Sequence, residues 1–402
     1  MNPNRIAVLH FSNGDTRSGV EEHMLMLLRN LDRTQFQVFL ACRTELATRL
    51  KPDLPQDVEV LSVDFYQPTQ ISAALRLARF LRARSIGILH SHLFQASLVA
   101  APVGWFCRVP VIIETTHIRE YWRHGLKAGY FVDRLVGRCV DRFIAVSEAN
   151  ATYLRTEKRI PSRKIVTIRN GCDLRRFDPD YQTPLDLRGQ LGFGQNDPVL
   201  VVLARLEPQK GHGVLLEAMH AVLARCPKVR VVCIGEGALR TALEQKTLSL
   251  KLGDAVRFVG YQSNVPDWFA LADATVLPSF FEGLPLVALE SLAAGRPVVA
   301  TAVDGTTEVV VHEKTGLTVP PGNPALLAEA ICRMVEDASL RRSLGRAGRQ
   351  WVVEQFSQEQ QVAKTEQLYR EAWQERRGLA TASAIASAEA STRSHSGLDA
   401  AK

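Results

Sequence analysis

The sequence predicts an α/β protein of two domains, each a parallel β-sheet covered by helices. Short apolar runs alternate with amphipathic helical stretches along most of the chain, which is typical of βα units on a parallel sheet. The alternation weakens at 170–189, where Asn, Gly, Pro and Asp cluster, and then restarts. A chain of 402 residues is long enough for about two or three domains. We therefore expect an N-terminal domain at 1–180 and a C-terminal domain at 181–358.

Each half contributes six strand candidates. They are expected at 5–11, 36–42, 87–91, 111–115, 142–146 and 164–168, and then at 198–205, 229–235, 256–260, 274–278, 296–301 and 316–320. Helices are expected between them at 19–31, 70–84, 94–106, 123–140, 148–157, 211–225, 237–250, 265–272, 285–294 and 323–336. Two more, at 338–354 and 359–376, close the folded part. The Ala/Ser-rich tail at 378–402 lacks periodicity and is predicted to be disordered.

Composition limits the class of protein. The chain is 46% hydrophobic and 23% charged, as in globular proteins. It has no apolar run long enough for a transmembrane helix, and its N-terminus lacks the pattern of a signal peptide. The seven cysteines are scattered without a CxxC pair, which favours reduced thiols over a disulfide framework or a zinc site. A cytoplasmic location is expected.

Positive charge is concentrated in the first half. Residues 1–180 hold 26 Lys and Arg against 18 Asp and Glu, whereas the remainder holds 23 against 24. An anionic partner and a merely solvated surface explain this equally well. Arg134, Arg138 and Arg142 follow one another at helical spacing beside Phe131 and Leu135. This stripe could rest on an anionic membrane, although an ordinary surface helix is slightly favoured. No nucleic-acid-binding module is recognisable.

Glu290 is the residue that fits its surroundings least. It lies in a helical stretch whose neighbouring turns carry Leu286, Val287, Ala293 and Ala294, and a carboxylate there is costly unless it is paired. Pro285 suits the first turn of this helix, which places Glu282 in the preceding loop. Both carboxylates can then face one ligand across the helix N-terminus, where Gly283 and the backbone N–H groups of Gly283, Leu284 and Leu286 add contacts.

Two further segments are candidates for binding phosphate groups. Arg205 ends a strand and Lys210 follows just before a helix, so the two cations could clamp a diphosphate. Gly235 and Gly237 follow the next strand and would permit close approach of a ligand. Near the N-terminus, Gly19 opens a helix after a loop; a tight turn and anion contact are equally good explanations.

Three polar features remain. His92 and His117 follow successive strands and should meet at the edge of the N-domain, which favours a site without showing which histidine acts. The Asp178-Pro179-Asp180 segment imitates a metal-binding DxD motif but is interpreted as a turn. No essential metal or other cofactor is expected.

These motifs together resemble the retaining glycosyltransferases of family 4, which have the GT-B fold. The resemblance extends from about residue 5 to 377 and rests on EGLPxxxxE at 282–290, ARLxPQKG at 204–211, IGEG at 234–237, NGCD at 170–173, LPSFFEG at 277–283, GRPVVAT at 295–301 and EKTGLTVPP at 313–321. One departure is Ser18-Gly19, where the family often has two glycines. The resemblance implies two Rossmann-like domains across a cleft, with a last helix at 359–377 crossing back to the N-domain.

The resemblance also implies roles for the candidate residues. Glu290 would hold the ribose of a nucleotide, and Glu282 would contact the donor sugar. Arg205 and Lys210 would hold the diphosphate, with Gly19 approaching it from the N-domain. His117 would contact the sugar. The remaining donor contacts would come from backbone at Gly235, Gly260, Tyr261, Gly283 and Leu284.

The expected function is transfer of a hexose, with retention of configuration and without a metal. The donor would be a nucleotide-diphosphate sugar, and the acceptor a glycan or lipid-linked saccharide in polysaccharide or glycolipid biosynthesis. The enzyme would be cytoplasmic or peripheral on the inner face of a membrane. A nucleotide-sugar hydrolase or epimerase of the same fold is the alternative, and a non-catalytic nucleotide-sugar sensor is a third class.

Overall fold

Two parallel β-sheets form the framework of the molecule. A computed structural model of the chain describes residues 5–67, 69–120, 129–183 and 185–396. The first sheet has seven strands and the second has six. Every pairing within them is parallel. The predicted two-domain α/β architecture is confirmed.

The N-terminal domain contains seven strands and six helices among the residues described. Its strands β1 to β7 are Ile6–Phe11, Phe36–Cys42, Glu59–Ser62, Ile88–His92, Val111–Thr116, Arg142–Ala145 and Ile165–Thr167. Its helices α1 to α6 are Gly19–Asn30, Thr44–Leu50, Ile71–Ala83, Phe94–Phe106, Gly129–Cys139 and Glu148–Thr156. The start of the predicted helix 123–140 lies partly outside the described residues.

The C-terminal domain repeats the arrangement on six strands. Its strands β8 to β13 are Val199–Leu203, Arg230–Ile234, Val256–Gly260, Ala274–Leu277, Val298–Thr301 and Gly316–Val319. Its helices α7 to α14 are Leu187–Leu191, His212–Arg225, Arg240–Ser249, Val265–Leu271, Leu286–Ala293, Thr306–Val309, Pro324–Glu336 and Ala338–Gln355. A final helix, α15, spans Gln358–Ser396.

The differences from prediction are short or weakly buried elements. No strand is predicted from the sequence at β3, whose four residues are all at least partly exposed at the edge of the sheet, so it lacks the apolar run of an inner strand. No helix is predicted at α2, α7 or α12, the longest of which has seven residues. The predicted disorder from residue 378 does not match α15, which continues as a helix to Ser396; alanine has the highest helix propensity, and this tail is rich in it.

The last helix returns to the N-domain, as expected. Tyr369 is fully buried among N-domain side chains and makes an edge contact with Phe36. Arg142 pairs with Glu375, and Arg376 bonds to Asp141 at 2.7 Å. These contacts attach the end of the chain to the sheet where the chain began.

The strand orders place one crevice in each domain. The strand order is β3-β2-β1-β4-β5-β6-β7 in the first sheet and β10-β9-β8-β11-β12-β13 in the second. The chain therefore continues from β1 toward one edge of the first sheet and from its neighbour β4 toward the other edge. Strands β8 and β11 have the same relation in the second sheet. Ligands of open α/β sheets bind at such switch points, outside the carboxyl ends of the strands. The predicted site residues lie in segments at or after the carboxyl ends of strands of these two sheets.

Candidate active site

Loops at the carboxyl ends of β8, β9 and β10 are hydrogen-bonded to one another. The Gly235 N–H donates to the Gly260 carbonyl at 2.8 Å, and the Leu206 N–H donates to the Glu236 carbonyl at 2.9 Å. Gly235 has φ of 143°, and a Cβ there would lie 2.1 Å from the Ala204 carbonyl oxygen. The sequence analysis explained Gly235 and Gly237 by the approach of a ligand. The structure gives another reason, because the backbone of the neighbouring loop already fills that space.

Lys210 and Glu282 form an ion pair at the mouth of α11. The Lys210 Nζ lies 2.6 Å from Glu282 Oε1, which also accepts a 2.7 Å hydrogen bond from Ser279 Oγ. The side chains are 18% and 7% exposed, respectively. Because α11 begins only at Leu286, Ser279 binds the Glu282 carboxylate and does not cap the helix. The loop position predicted for Glu282 is therefore confirmed.

Arg205 does not share this pair. Its guanidinium bonds to the Glu207 carboxylate at 2.6 Å, and its side chain is 44% exposed. The two predicted clamp cations thus have different carboxylate partners in this structure. Tyr261, beside Gly260, presents a largely exposed ring at the end of β10.

Glu290 faces a cavity between the domains. The cavity has a volume of about 200 Å³, and its lining includes Glu22 and His23 of α1, Cys172, Arg176 and Leu286. Burial raises the pKa of Glu290 from 4.5 to about 7; the positive charge of Arg176 opposes this shift. Among the residues described, none makes a hydrogen bond or ion pair with this carboxylate. Glu290, the carboxylate among apolar neighbours, therefore faces a cleft and is free to accept hydrogen bonds.

We expect E290Q to be more stable than the wild type at about pH 8. A carboxyl whose pKa is 4.5 unfolded and about 7 folded makes the protein lose stability as pH rises between these values. Glutamine carries no charge to desolvate, so the variant avoids a loss of about 1–3 kcal/mol. Thermal unfolding across pH should give curves that meet below about pH 4.5, diverge as the pH rises to about 7 and stay separated at higher pH.

The control for this prediction is E371Q, on an exposed part of α15 where Glu371 accepts a bond from Gln367. It should keep the wild-type pH dependence. Equal pH dependence in E290Q and the wild type would contradict the raised pKa.

Gly283 connects the two domains. A Cβ on Gly283 would lie 1.6 Å from the His117 carbonyl oxygen, so only glycine allows this approach. Next to it, the Leu284 carbonyl accepts a 2.9 Å hydrogen bond from Asn170 Nδ2. Leu284 itself is buried in the C-domain core. The glycine expected to admit a ligand thus admits the N-domain backbone, which brings His117 to the residue after Glu282.

The N-terminus of α1 is also close to the second domain. Ser18 and Glu21 form a capping box at this end, and Gly19 is the first helical residue. Gly19 has no positive φ, so a tight turn does not require glycine there. A Cβ at this position would meet Leu286 Cδ1 at 3.7 Å, an ordinary contact. Of the two explanations for Gly19, the tight turn is not supported.

Five histidines cluster at the carboxyl ends of β1, β4 and β5. His10 pairs with His90 in the register of β1 and β4, and the other members are His23, His92 and His117. His10 Nδ1 lies 3.0 Å from His92 Nε2, and His92 Nδ1 lies 3.2 Å from His117 Nε2. The sequence predicts only His92 and His117 as members of such a site. His10 and His90 could have been found from their positions near the ends of parallel strands, whereas His23 lies within α1 and gave no such signal.

Burial keeps these rings neutral. It lowers the pKa of His10 to about 3 and that of His23 to about 4, and it lowers the pKa values of His90, His92 and His117 well below their usual range. Nitrogens of two overlapping triads around His92 lie within 4.8 Å of one another, a spacing that could hold a metal ion. However, both ring nitrogens of His90 and of His92 already make hydrogen bonds within the protein.

Asp178 and Asp180 form the predicted turn. The Asp178 carboxylate accepts a 2.9 Å bond from the Asp180 N–H, and the Asp178 carbonyl accepts one from the Tyr181 N–H. This local pairing explains the motif without a ligand.

The described part of the basic helix, α5, exposes both apolar and basic side chains. Phe131 and Leu135 are exposed, whereas Val136 is buried against the sheet. Arg134 bonds to the Tyr130 carbonyl, and Arg142, after the helix, lies near Glu375. The sequence allows this stripe to be interpreted either as a membrane-binding surface or as an ordinary surface helix with its apolar side against the sheet. Neither interpretation holds completely, because some of its apolar residues are in the core and others are at the surface. Within the described parts of the chain, no helix is both long and apolar enough to cross a membrane.

Comparisons with known proteins cover both domains. Residues 17–176 match the family described as Glycosyltransferase Family 4, and residues 185–351 match the family described as Glycosyl transferases group 1. The GDP-mannose-dependent alpha-(1-6)-phosphatidylinositol monomannoside mannosyltransferase of Mycobacterium tuberculosis is 32% identical over 262 residues, which is 63% of this chain and 68% of that protein. The UDP-Gal:alpha-D-GlcNAc-diphosphoundecaprenol alpha-1,3-galactosyltransferase of Escherichia coli is 24% identical over 91% of this chain and 97% of its own length.

Solved structures share the arrangement of the two sheets. Anabaena HepE in complex with UDP-glucose superimposes with a TM-score of 0.80 at 20% identity, covering 91% of this chain and all of that one. A glycosyltransferase from Rickettsia africae gives a TM-score of 0.77 at 20% identity and covers 92% of this chain and 99% of its own. At this identity the likeness concerns the fold.

Proposed function

Because the chain belongs to glycosyltransferase family 4 and has the GT-B fold, we propose that it transfers a hexose from a nucleotide-diphosphate sugar, with retention of configuration, to a lipid-linked saccharide or glycan. The observation that carries this proposal is the contact of His117 with Gly283. It joins a polar residue of the N-domain to the loop that holds the Lys210–Glu282 pair. A substrate lying across the cleft would contact both domains at this point.

The charges in the cleft suit the chemistry of this transfer. Cleavage of the donor places negative charge on the leaving phosphate, which fixed cations in a closed site stabilise. The Lys210 side chain is only 18% exposed and its ammonium is paired with Glu282, so the ammonium is ordered before a substrate arrives. Arg205 would add a second cation from the end of β8. Glu290 would accept hydrogen bonds from the ribose hydroxyls, and the backbone near Gly260 and Tyr261 would contact the base of the donor.

Donor and acceptor chemistry is proposed from relatives. One relative is named as GDP-mannose-dependent and another as using UDP-Gal with a diphosphoundecaprenol-linked sugar, and HepE was solved with UDP-glucose. All three compounds are nucleotide-diphosphate hexoses. The acceptors named for the first two relatives are lipids, which supports a lipid-linked acceptor in glycolipid or polysaccharide biosynthesis.

The test is incubation with UDP- and GDP-hexoses, with and without polyprenyl-diphosphate-linked sugar acceptors. The proposal expects hexose transfer that requires an acceptor, and a product whose anomeric proton coupling in NMR matches that of the donor. Acceptor-independent consumption of donor would favour the hydrolase or epimerase. Binding without turnover by any donor would favour the sensor.

Transfer is expected to proceed without a metal. Lys210 and Arg205 can neutralise a diphosphate, the role that a divalent ion fills in other enzymes, and the Asp178 carboxylate accepts a bond from the Asp180 N–H within its own turn. After exhaustive EDTA treatment and desalting, the rate should stay within about twofold of the untreated enzyme. A loss of more than about tenfold that Mg²⁺ or Mn²⁺ restores would contradict this expectation.

A membrane surface is a candidate partner through helices α3, α4 and α5, which cover one face of the N-domain sheet. Seven exposed large hydrophobic side chains lie on these helices: Ile71, Leu75, Trp105, Phe106, Phe131, Val132 and Leu135. The same helices carry five arginines and a single carboxylate, Asp133, which is buried against Lys158. An apolar surface with only positive exposed charge suits an anionic bilayer.

The double variant W105S/F106S is expected to lose binding to anionic vesicles. Wild-type protein should sediment with phosphatidylglycerol-containing vesicles, less with phosphatidylcholine alone, and less at high salt. The variant should bind at least about tenfold more weakly, since two large apolar side chains no longer enter the interface. The control L248S removes a 77% exposed leucine from α9 of the other domain and should not change binding. Equal binding by all three proteins would contradict the assignment of this face.

A further inference from the structure

The histidine cluster contains an unbroken chain of ring-to-ring hydrogen bonds that ends at His117. His10 contacts His92 at 3.0 Å, and His92 contacts His117 at 3.2 Å. The first two rings are at most 1% exposed and His117 is 8% exposed. His10 Nε2, at the inner end, is buried without a hydrogen-bond partner. At the outer end, His117 Nδ1 makes no hydrogen bond to the described residues and is not fully enclosed.

We infer that His10 and His92 are positioning residues that fix the tautomer of His117, so that this ring presents its Nδ1–H to the cleft. The inference deepens the proposed function, because it specifies what His117 offers to the donor sugar. A ring with Nδ1–H donates a hydrogen bond to a hydroxyl oxygen, whereas the other tautomer would only accept one.

Counting protons leads to this assignment. Three neutral imidazoles carry three protons on six nitrogens, and each of the two N···N contacts requires one proton. Only two arrangements satisfy both contacts. In one, every proton is on Nδ1, His10 Nε2 is a bare acceptor, and His117 carries Nδ1–H. In the other, every proton is on Nε2, so that His10 has a buried N–H without an acceptor.

The unpartnered nitrogen of His10 selects between the two arrangements. A buried N–H group without an acceptor is rarer in folded proteins than an acceptor left partly unused. The arrangement with Nδ1–H throughout avoids that group and places its free donor at the cleft. The buried ring of His10 therefore determines, through His92, which nitrogen of His117 carries the proton.

The neighbouring groups do not supply another proton to this chain. His90 stacks on His92 with ring centroids 4.5 Å apart, but its nitrogens bond to Tyr369 Oη and Thr115 Oγ1. His23 meets the His117 ring edge-on at 4.6 Å, and its Nδ1 contacts Asn170 and Gln361. Both rings stay outside the line from His10 to His117.

The direct test is a long-range ¹H–¹⁵N correlation spectrum of the full chain labelled with ¹⁵N-histidine, near pH 7.5. We expect the Nδ1–H pattern for His10, His92 and His117, with H117N and H92Q used to assign signals. A resting Nε2–H tautomer at His117 would overturn the inference. So would a stoichiometric metal ion in the purified protein, because a metal on these nitrogens leaves no shared protons.

Two variants of His92 separate positioning from packing. H92Q can accept from His10 and donate to His117, so it should keep the His117 tautomer and lower kcat by no more than about threefold. H92L can do neither, so it should mix the tautomers and lower kcat by at least about tenfold at a similar Tm. Equal spectra and equal kcat in the two variants would reduce His92 to a packing residue.

The spectra require only folded protein, whereas the rates require the proposed reaction. If no donor is turned over but His117 shows Nδ1–H, the proposed function fails and the tautomer assignment stands. If transfer occurs but His117 shows Nε2–H, the assignment fails and the function stands.

Discussion

Replacement of Lys210 by alanine is expected to lower kcat for sugar transfer by about 10²–10³-fold, because a fixed cation beside the leaving phosphate acts mainly in the transition state. The variant should also be less stable. Glu282 is 7% exposed and would lose the ammonium that lies 2.6 Å from its carboxylate. Breaking a buried pair by removing one partner costs about 3–5 kcal/mol, and the partial exposure of Lys210 places the expected loss at the lower end.

The double variant K210A/E282Q separates stability from catalysis. Neutralising Glu282 removes the unpaired charge, so the double variant should regain much of the Tm lost by K210A. It should not regain activity, since the cation is still missing. Kinetics with saturating donor and thermal unfolding provide the two measurements.

The matched control is K246A. Lys246 also pairs with a glutamate, Glu217, but the two side chains are 33% and 48% exposed. Pairs of this kind contribute about 0–1 kcal/mol, so both Tm and kcat should stay near wild type. The role of Lys210 would be refuted by a K210A enzyme whose kcat lies within about threefold of wild type.

The second large effect is expected from G283A. A methyl group at this position would lie 1.6 Å from the His117 carbonyl oxygen, and the Gly283 carbonyl is itself close to Gly305. Backbone atoms cannot yield as a flexible side chain would, so the two domains must separate locally. We expect kcat to fall by at least about 10²-fold, because a displacement of about 1 Å between reacting groups has effects of that size.

Binding measurements distinguish this effect from unfolding. Most of the proposed nucleotide contacts lie within the C-domain, so the Kd for a nucleoside diphosphate should change by less than about tenfold in G283A. The control is G378A on α15, where an added Cβ would meet nothing within 4 Å, and a helical Gly-to-Ala change should raise stability slightly. A G283A enzyme with wild-type kcat would show that the contact with His117 is not needed for transfer.

The sequence predicts structure best where a single residue or apolar run carries its own physical constraint. The apolar runs of inner strands such as β1 and β8 must be buried, so their positions could be read within a few residues. An edge strand such as β3 is solvated and gives no such signal. Glu290 was conspicuous because a carboxylate among apolar neighbours requires an explanation, and it does face a cavity between the domains.

Contacts between distant segments could not be read in this way. The sequence explained Gly235 and Gly283 by ligand approach, whereas the structure fills those spaces with the backbone of Ala204 and His117. Either cause requires glycine, so the residue type does not distinguish them. In the same way, Arg205 and Lys210 looked equivalent five residues apart, but one pairs with Glu207 at the surface and the other with a buried Glu282.

The sequence by itself therefore determined the alternation of strands and helices and the division into two domains, and it predicted candidate site residues at strand ends and near helix N-termini. It could do so because hydrophobic periodicity and the cost of an isolated charge are local properties. Only the tertiary structure decided which carboxylate holds Lys210, why Gly283 is glycine, and how five histidines from β1, α1, β4 and the end of β5 meet. Those features depend on the register between parallel strands and on the approach of the two domains. The residues that meet there are far apart in the sequence: Gly283 and His117 are separated by 166 residues.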